Sequence, residues 1–210
     1  MPENSDYSKY LKALIEGDKD FCTRFIQNLI EKKVDIKSIY IDYFQKSLYE
    51  IGSLWEENKI SVATEHLASA TTERLMLILY PQIFSEVKNN KKVIVACVAN
   101  EFHQIGAKMI ADIFEMKGWD SFFVGSNTPI NDLIKLIDDK QPDMVALSLS
   151  IYFNMNVLTQ SINKVKCNFA NIDIIVGGQA FHHGGVQAIS HFKGVNYIES
   201  IYKLEERLDS

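Results

Sequence analysis

Residues 91–106, KKVIVACVANEFHQIG, constrain the fold more than any other stretch of the chain. Two lysines are followed by the β-branched, apolar run Val93, Ile94, Val95, Ala96, Cys97, Val98, which ends in a polar turn. From Gln104 onward, Ile105, Met109, Ile110 and Ile113 recur at helical spacing. An unbroken apolar run of this kind reads as a strand buried on both faces, as in parallel sheets covered by helices. The stretch is therefore the opening strand, loop and helix of a doubly wound α/β domain. Ligands in such folds bind at the carboxyl ends of the strands, where Glu101, His103, Gln104 and Gly106 fall.

The chain beyond this unit keeps alternating. Strands are expected over 119–124, 144–150 and 172–176, with a short edge strand over 195–198. Thr128 followed by Pro129 reads as a helix cap with proline in the first turn, and further helices are expected over 155–166, 185–191 and at the charged C-terminus. Five parallel strands with intervening helices make a flavodoxin-like domain.

Residues 1 to about 88 read as helices throughout. The first spans roughly 7–15 and ends at Gly17; the second spans 19–31. A third carries a broad apolar stripe, Ile36, Ile39, Tyr40, Tyr43, Phe44, Leu48, Ile51, Leu54 and Trp55. A fourth begins with Ser61 as its cap and reaches about Tyr80, with Ala63, His66, Ser69 and Ala70 on its inner face. Four such helices form a bundle. Residues 81–90 are the candidate linker, giving a helical domain over 1–88 and an α/β domain over 89–210.

Composition narrows the function classes. The formal net charge is -5 and no Lys/Arg-rich run is present, so a direct nucleic-acid surface is not indicated. The three cysteines, Cys22, Cys97 and Cys167, form no C-x-x-C pair, which argues against a disulfide framework and a structural zinc site. No apolar segment reaches membrane-spanning length and the N-terminus lacks the form of a signal peptide, so a cytoplasmic protein without membrane contact is expected. Without a Walker loop, a G-x-G-x-x-G after the first strand or a Ser-His-Asp arrangement, the hydrolase, kinase and nicotinamide-dehydrogenase readings are poor.

The pattern Glu101-x-His103-x-x-Gly106, with Ser148 at the end of the third strand and the pair Gly177-Gly178, resembles the signature of cobalamin-binding domains. In that family a histidine replaces the corrinoid's own base as lower ligand to cobalt. The resemblance implies His103 as that ligand, Glu101 orienting it, and Ser148 with the glycine pair lining the slot for the nucleotide tail. A β-carbon at Gly177 or Gly178 is expected to collide with that tail. Glu101 stands where the family usually has aspartate, and Ser150 where it has leucine. Asn154 occupies the position of a proton-relay residue in the methyl-transfer relatives, and asparagine cannot pass a proton in the same way. His182 and His183 are expected in the loop near the tail, and Tyr152 and Phe153 beside its channel.

The helical half is similar to the cap bundle that precedes such domains. Trp55, followed ten residues later by Glu65-His66, resembles the light-sensing regulators that bind adenosylcobalamin. This implies Trp55, Glu65 and His66 over the upper face of the cofactor, with His66 as a second cobalt ligand after light. Trp55 is expected to be buried, and Glu65, adjacent in the helix, is not expected to pair with His66. The first reading is thus a non-catalytic cobalamin sensor, a photoreceptor in signalling or transcription regulation. Those regulators commonly carry a helix-turn-helix domain that the sequence here lacks, so output is expected through a protein partner or a homo-oligomer. The alternative is a corrinoid carrier protein of a methyltransferase system, loaded with methylcobalamin.

Overall fold

A computed structural model describes residues 4–84 and 87–209. The chain divides into two compact units, Met1–Gln82 and Ile83–Ser210.

The first unit is helical. Helix α1 (Asn4–Glu16) buries Tyr7, Tyr10, Ala13 and Leu14 along one stripe. Helix α2 (Lys19–Glu31) is capped by Asp18, whose carboxylate accepts from the Phe21 N–H, and buries Cys22, Ile26 and Leu29. The third expected helix is present but not uniform. It comprises α3 (Ile36–Ile39), a π-helical turn (Tyr40–Gln45) and α4 (Lys46–Glu56). The wider turn shifts the buried stripe to Tyr40, Tyr43, Phe44, Ser47 and Ile51, which leaves Leu48 only half-buried. Tyr10, Phe25 and Tyr43 pack edge to face and tilted at ring distances of 5.2–5.8 Å, which ties α1, α2 and the π turn together.

Helix α5 (Val62–Leu79) begins as expected, with the Ser61 hydroxyl accepting from the Thr64 N–H. Its inner face is not the expected one. Ala68, Thr71, Thr72, Leu75, Met76 and Leu79 are buried, while Ala63, His66 and Ala70 are exposed. The large aliphatic residues near the C-terminal end set the phase, and two positions differ by about 200° around a helix, so His66 lies nearly opposite Ala68.

The second unit is a five-stranded, all-parallel sheet in the order β2-β1-β3-β4-β5. In chain order it runs β1 (Lys92–Val98), α6 (Ile105–Met116), β2 (Asp120–Thr128), α7 (Ile130–Lys140), β3 (Met144–Ser148), α8 (Met155–Asn168), β4 (Asp173–Gly177), α9 (Gly185–Ile189), β5 (Val195–Tyr197) and α10 (Ile201–Leu208). This is the flavodoxin-like, doubly wound architecture. Ile94, Ala96 and Val98 of β1 pack with Leu133, Ile137, Leu158 and Ile162 on one face, and Val93, Val95 and Cys97 are buried by alternation on the other.

Two features differ from expectation. Strand β2 runs on to Thr128, which is buried and therefore does not cap α7; Pro129 takes that position. The pairing of β1 with β2 shifts register twice near its carboxyl end, around Gly125 and Asn127, both at positive φ. The three cysteines are free, and among the described residues no helix is long and apolar enough to cross a membrane.

Candidate functional site

The strand order reverses between β1 and β3, and the crevice at their carboxyl ends is where ligands bind in this architecture. The loop after β1 and the turn after β3 meet there through one side chain. Glu101 is completely buried. Its Oε1 accepts from the His103 backbone N–H at 2.8 Å and lies 2.6 Å from His103 Nδ1. Its Oε2 accepts from the backbone N–H groups of Ser150 at 2.7 Å and Ile151 at 2.9 Å. Burial alone would raise the pKa of this carboxyl. The hydrogen bonds from His103, Ile151 and Ser150 outweigh it and hold the group at about 2.

His103 is therefore anchored through Nδ1 while much of its ring is exposed. Its side chain is 59% exposed although its Nδ1 rests on a buried carboxylate. With Nδ1 engaged in this way, a bond from the ring to a metal falls to Nε2. Beneath the loop, burial raises the Cys97 thiol, helped by the charge of Glu101, to a pKa of about 12. This cysteine is a packed, protonated core residue whose Sγ lies 3.7 Å from the His103 carbonyl.

Gly106 falls in the first turn of α6, and a β-carbon there would meet nothing within 4 Å. The fold itself does not require glycine at this exposed position. The glycine pair behaves otherwise. Gly178 has φ +109°, and a β-carbon on it would lie 2.2 Å from the Leu149 carbonyl oxygen. Collision with the chain's own backbone is by itself enough to favour glycine there. At Gly177 the corresponding contact is 3.2 Å from the Ile198 carbonyl oxygen.

Ser148 and Ser150 are half-buried at the end of β3, and Ser150 takes part through its backbone. The Asn154 amide donates to the Asn100 carbonyl at 3.0 Å, so it braces the loop that carries His103. Gln104 accepts from the Ser126 N–H at 3.1 Å through its side chain. Tyr152, Phe153 and His182 are exposed, and the side chain of His183 lies outside the described residues. Asn100 and Asn127 were not legible as site residues; their sequence signal is the tolerance of asparagine for left-handed backbone in polar turns.

The helical unit holds a second carboxylate–imidazole pair, contrary to the expectation that Glu65 would not reach its neighbour. His66 Nδ1 lies 2.6 Å from Glu65 Oε2, while Glu65 Oε1 accepts from the Ser69 hydroxyl at 2.8 Å. The imidazole is again the exposed partner, 73% against 22% for the glutamate. Trp55, in the last turn of α4 beyond the packed stripe, is 46% exposed and not buried as expected.

Comparison with known proteins gives the family. A B12 binding domain model matches residues 91–197, and a second B12 binding domain model matches residues 7–80. The chain belongs to the B12 binding domain family. Among its relatives, a corrinoid protein of Desulfitobacterium hafniense is 19% identical over 141 residues, 65% of each chain. The HTH-type transcriptional repressor CarA of Myxococcus xanthus is 27% identical over 134 residues, 64% of this chain and 43% of the repressor. The match thus spans less than two thirds of either relative's own length. The monomethylamine corrinoid protein of Methanosarcina barkeri has the same fold, with a TM-score of 0.84 over 98% of both chains at 11% identity.

Proposed function

We propose that this B12-binding protein is a corrinoid carrier, which holds a cobalamin at the carboxyl edge of its sheet and presents it to a partner protein. The observation that carries this reading is the Glu101–His103 pair: an exposed imidazole whose Nδ1 is fixed by a fully buried carboxylate. Among the described residues no group of three or more His, Cys, Asp or Glu side chains is placed to hold a bare metal ion. A cobalt already held by a macrocycle would need a single nitrogen from the protein, and Nε2 of His103 would supply it. Glu101 keeps that ring oriented and raises its basicity. Gly106 leaves room for a large planar ligand at the start of α6, and Ser148, Gly177 and Gly178 flank the slot for its tail. Bound cobalamin supplies the cobalt–carbon bond, and the chain's own groups position it.

Gly106→Ala tests the fit from two sides. Replacing an open helical glycine is expected to stabilise the ligand-free protein by about 0.5–1 kcal/mol. Affinity for hydroxocobalamin, titrated by absorbance, is expected to fall. Loss of ligand-free stability would mean that the protein itself needs the glycine.

A second reading, an adenosylcobalamin light sensor, is favoured by Trp55 and by the Glu65–His66 pair, which repeats the geometry of the lower pair. In this reading His66 and Trp55 serve the upper face, and partner or assembly state is the output. Carriage is placed first on the match to a protein named as a corrinoid protein over 65% of this chain. The two readings separate in one experiment, in which protein is loaded in the dark with adenosylcobalamin or methylcobalamin and then exposed to green light. A carrier binds methylcobalamin at least as well, is indifferent to His66→Ala and keeps its oligomeric state in light. A sensor prefers adenosylcobalamin, changes assembly on illumination and loses that response in His66→Ala.

A further inference from the structure

The loop that carries His103 has no regular structure between the end of β1 and the start of α6. Its path is set by side chains from both neighbouring strands. Glu101 and Asn154 tie it to the β3 side. On the other side, the register shifts of β2 turn Asn127 toward the loop in a left-handed conformation, φ +49°. Asn127 Oδ1 accepts from the Asn100 N–H at 2.8 Å, and the Asn127 N–H donates to the Glu101 carbonyl at 2.7 Å. Two reciprocal bonds therefore fix the backbone on either side of the Asn100–Glu101 peptide. Asn100 is itself left-handed, φ +64°. A shift of this peptide would carry the Glu101 side chain with it, and His103 follows Glu101.

We infer that Asn127 is a positioning residue for the cobalt ligand: from β2, it sets the orientation of His103 through the backbone of residues 100–101. This rests on the assignment of His103 as lower ligand. Asn127 touches neither the imidazole nor its carboxylate oxygens in any described contact, so its effect is indirect.

The position allows a clean test. Asn127→Gly keeps a residue at ease with positive φ and keeps the backbone donor, so of the described contacts of Asn127 with the loop it removes only the bond accepted by Oδ1. Asn127→Asp keeps an acceptor in place. In ligand-free protein, amide hydrogen exchange at His103, whose N–H rests on Glu101, is expected to rise about tenfold in Asn127→Gly. That factor corresponds to about 1.4 kcal/mol, the scale of one hydrogen bond. Exchange at Ile175 in β4 is expected to stay unchanged, and Asn127→Asp is expected to restore the His103 rate.

With hydroxocobalamin, Asn127→Gly is expected to bind about tenfold more weakly, with a smaller fraction showing the absorbance of the histidine-ligated form. Unchanged His103 exchange, or acceleration spread equally over Ile175, overturns the inference whether or not cobalamin binds. Failure of the wild-type chain to bind cobalamin overturns the proposed function, while the exchange result still decides the role of Asn127 in holding the loop.

Discussion

Replacing Glu101 by alanine is expected to cost about 3–5 kcal/mol of folding stability, among the largest effects of any single substitution in the second unit. The carboxylate is fully buried and takes hydrogen bonds from the backbone of His103, Ser150 and Ile151 as well as from the imidazole. Removing it strands three backbone donors where β1 and β3 meet, and each unsatisfied group costs about 1–3 kcal/mol. Denaturant unfolding of the ligand-free chain measures the loss. A loss below about 1 kcal/mol would mean that water or a shifted loop replaces the carboxylate. Cobalamin affinity is expected to fall about 10–100-fold as well, the usual effect of removing the group that orients a metal-bound histidine.

The same side chain makes an acid-stability prediction. Its folded pKa, about 2, lies below the ordinary value of 4.5. The stabilisation is therefore fully present above about 4.5 and is lost as pH falls from there toward 2. A shift of that size corresponds to about 3 kcal/mol. Glu101→Gln, which has no carboxyl to protonate, is expected to show a correspondingly flatter stability profile over this range.

Gly178→Ala is expected to destabilise the ligand-free protein by about 2–6 kcal/mol, the sum of backbone strain at positive φ and overpacking. The added carbon would sit 2.2 Å from the Leu149 carbonyl oxygen, which already accepts from the Ala180 N–H. The thermal midpoint without cobalamin checks this. A ligand-free variant of normal stability that has lost only cobalamin binding would return the glycine to the role the sequence suggested, making room for a ligand. Gly106 and Gly178 thus predict opposite signs for the same chemical change.

These two glycines also show what a sequence conveys. The pattern Glu-x-His-x-x-Gly and the distant Gly-Gly were legible as sharing the carboxyl edge of the sheet, because strand periodicity places all of them at carboxyl ends. The reason for each glycine depends on which backbone passes nearby, which spacing does not encode. The bundle was legible in helix number and in local signals such as Asp18 and Ser61 at helix starts, since capping is decided within four residues. The phase of α5 was not. Small residues around His66 suggested a packed face, whereas Leu75, Met76 and Leu79 fix the packing from the other end. The π turn at residues 40–45 likewise altered which residues of the third helix are buried, and no apolar period announces such a turn. The Glu65–His66 contact escaped the rule that adjacent helix positions diverge, because the long glutamate side chain folds back to the ring. Asn127 escaped because its role depends on the register shifts between β1 and β2.

The proposed function stands on His103 as the lower ligand of a bound cobalamin. Electron paramagnetic resonance of protein loaded with the paramagnetic, divalent-cobalt form tests it most directly, because the axial nitrogen splits the cobalt lines. Histidine carrying the spin-one-half nitrogen isotope is expected to turn each triplet into a doublet, and His103→Ala is expected to abolish that change. Triplets that persist in the labelled wild-type protein would show cobalt held by the cofactor's own base, and would contradict the assignment of His103.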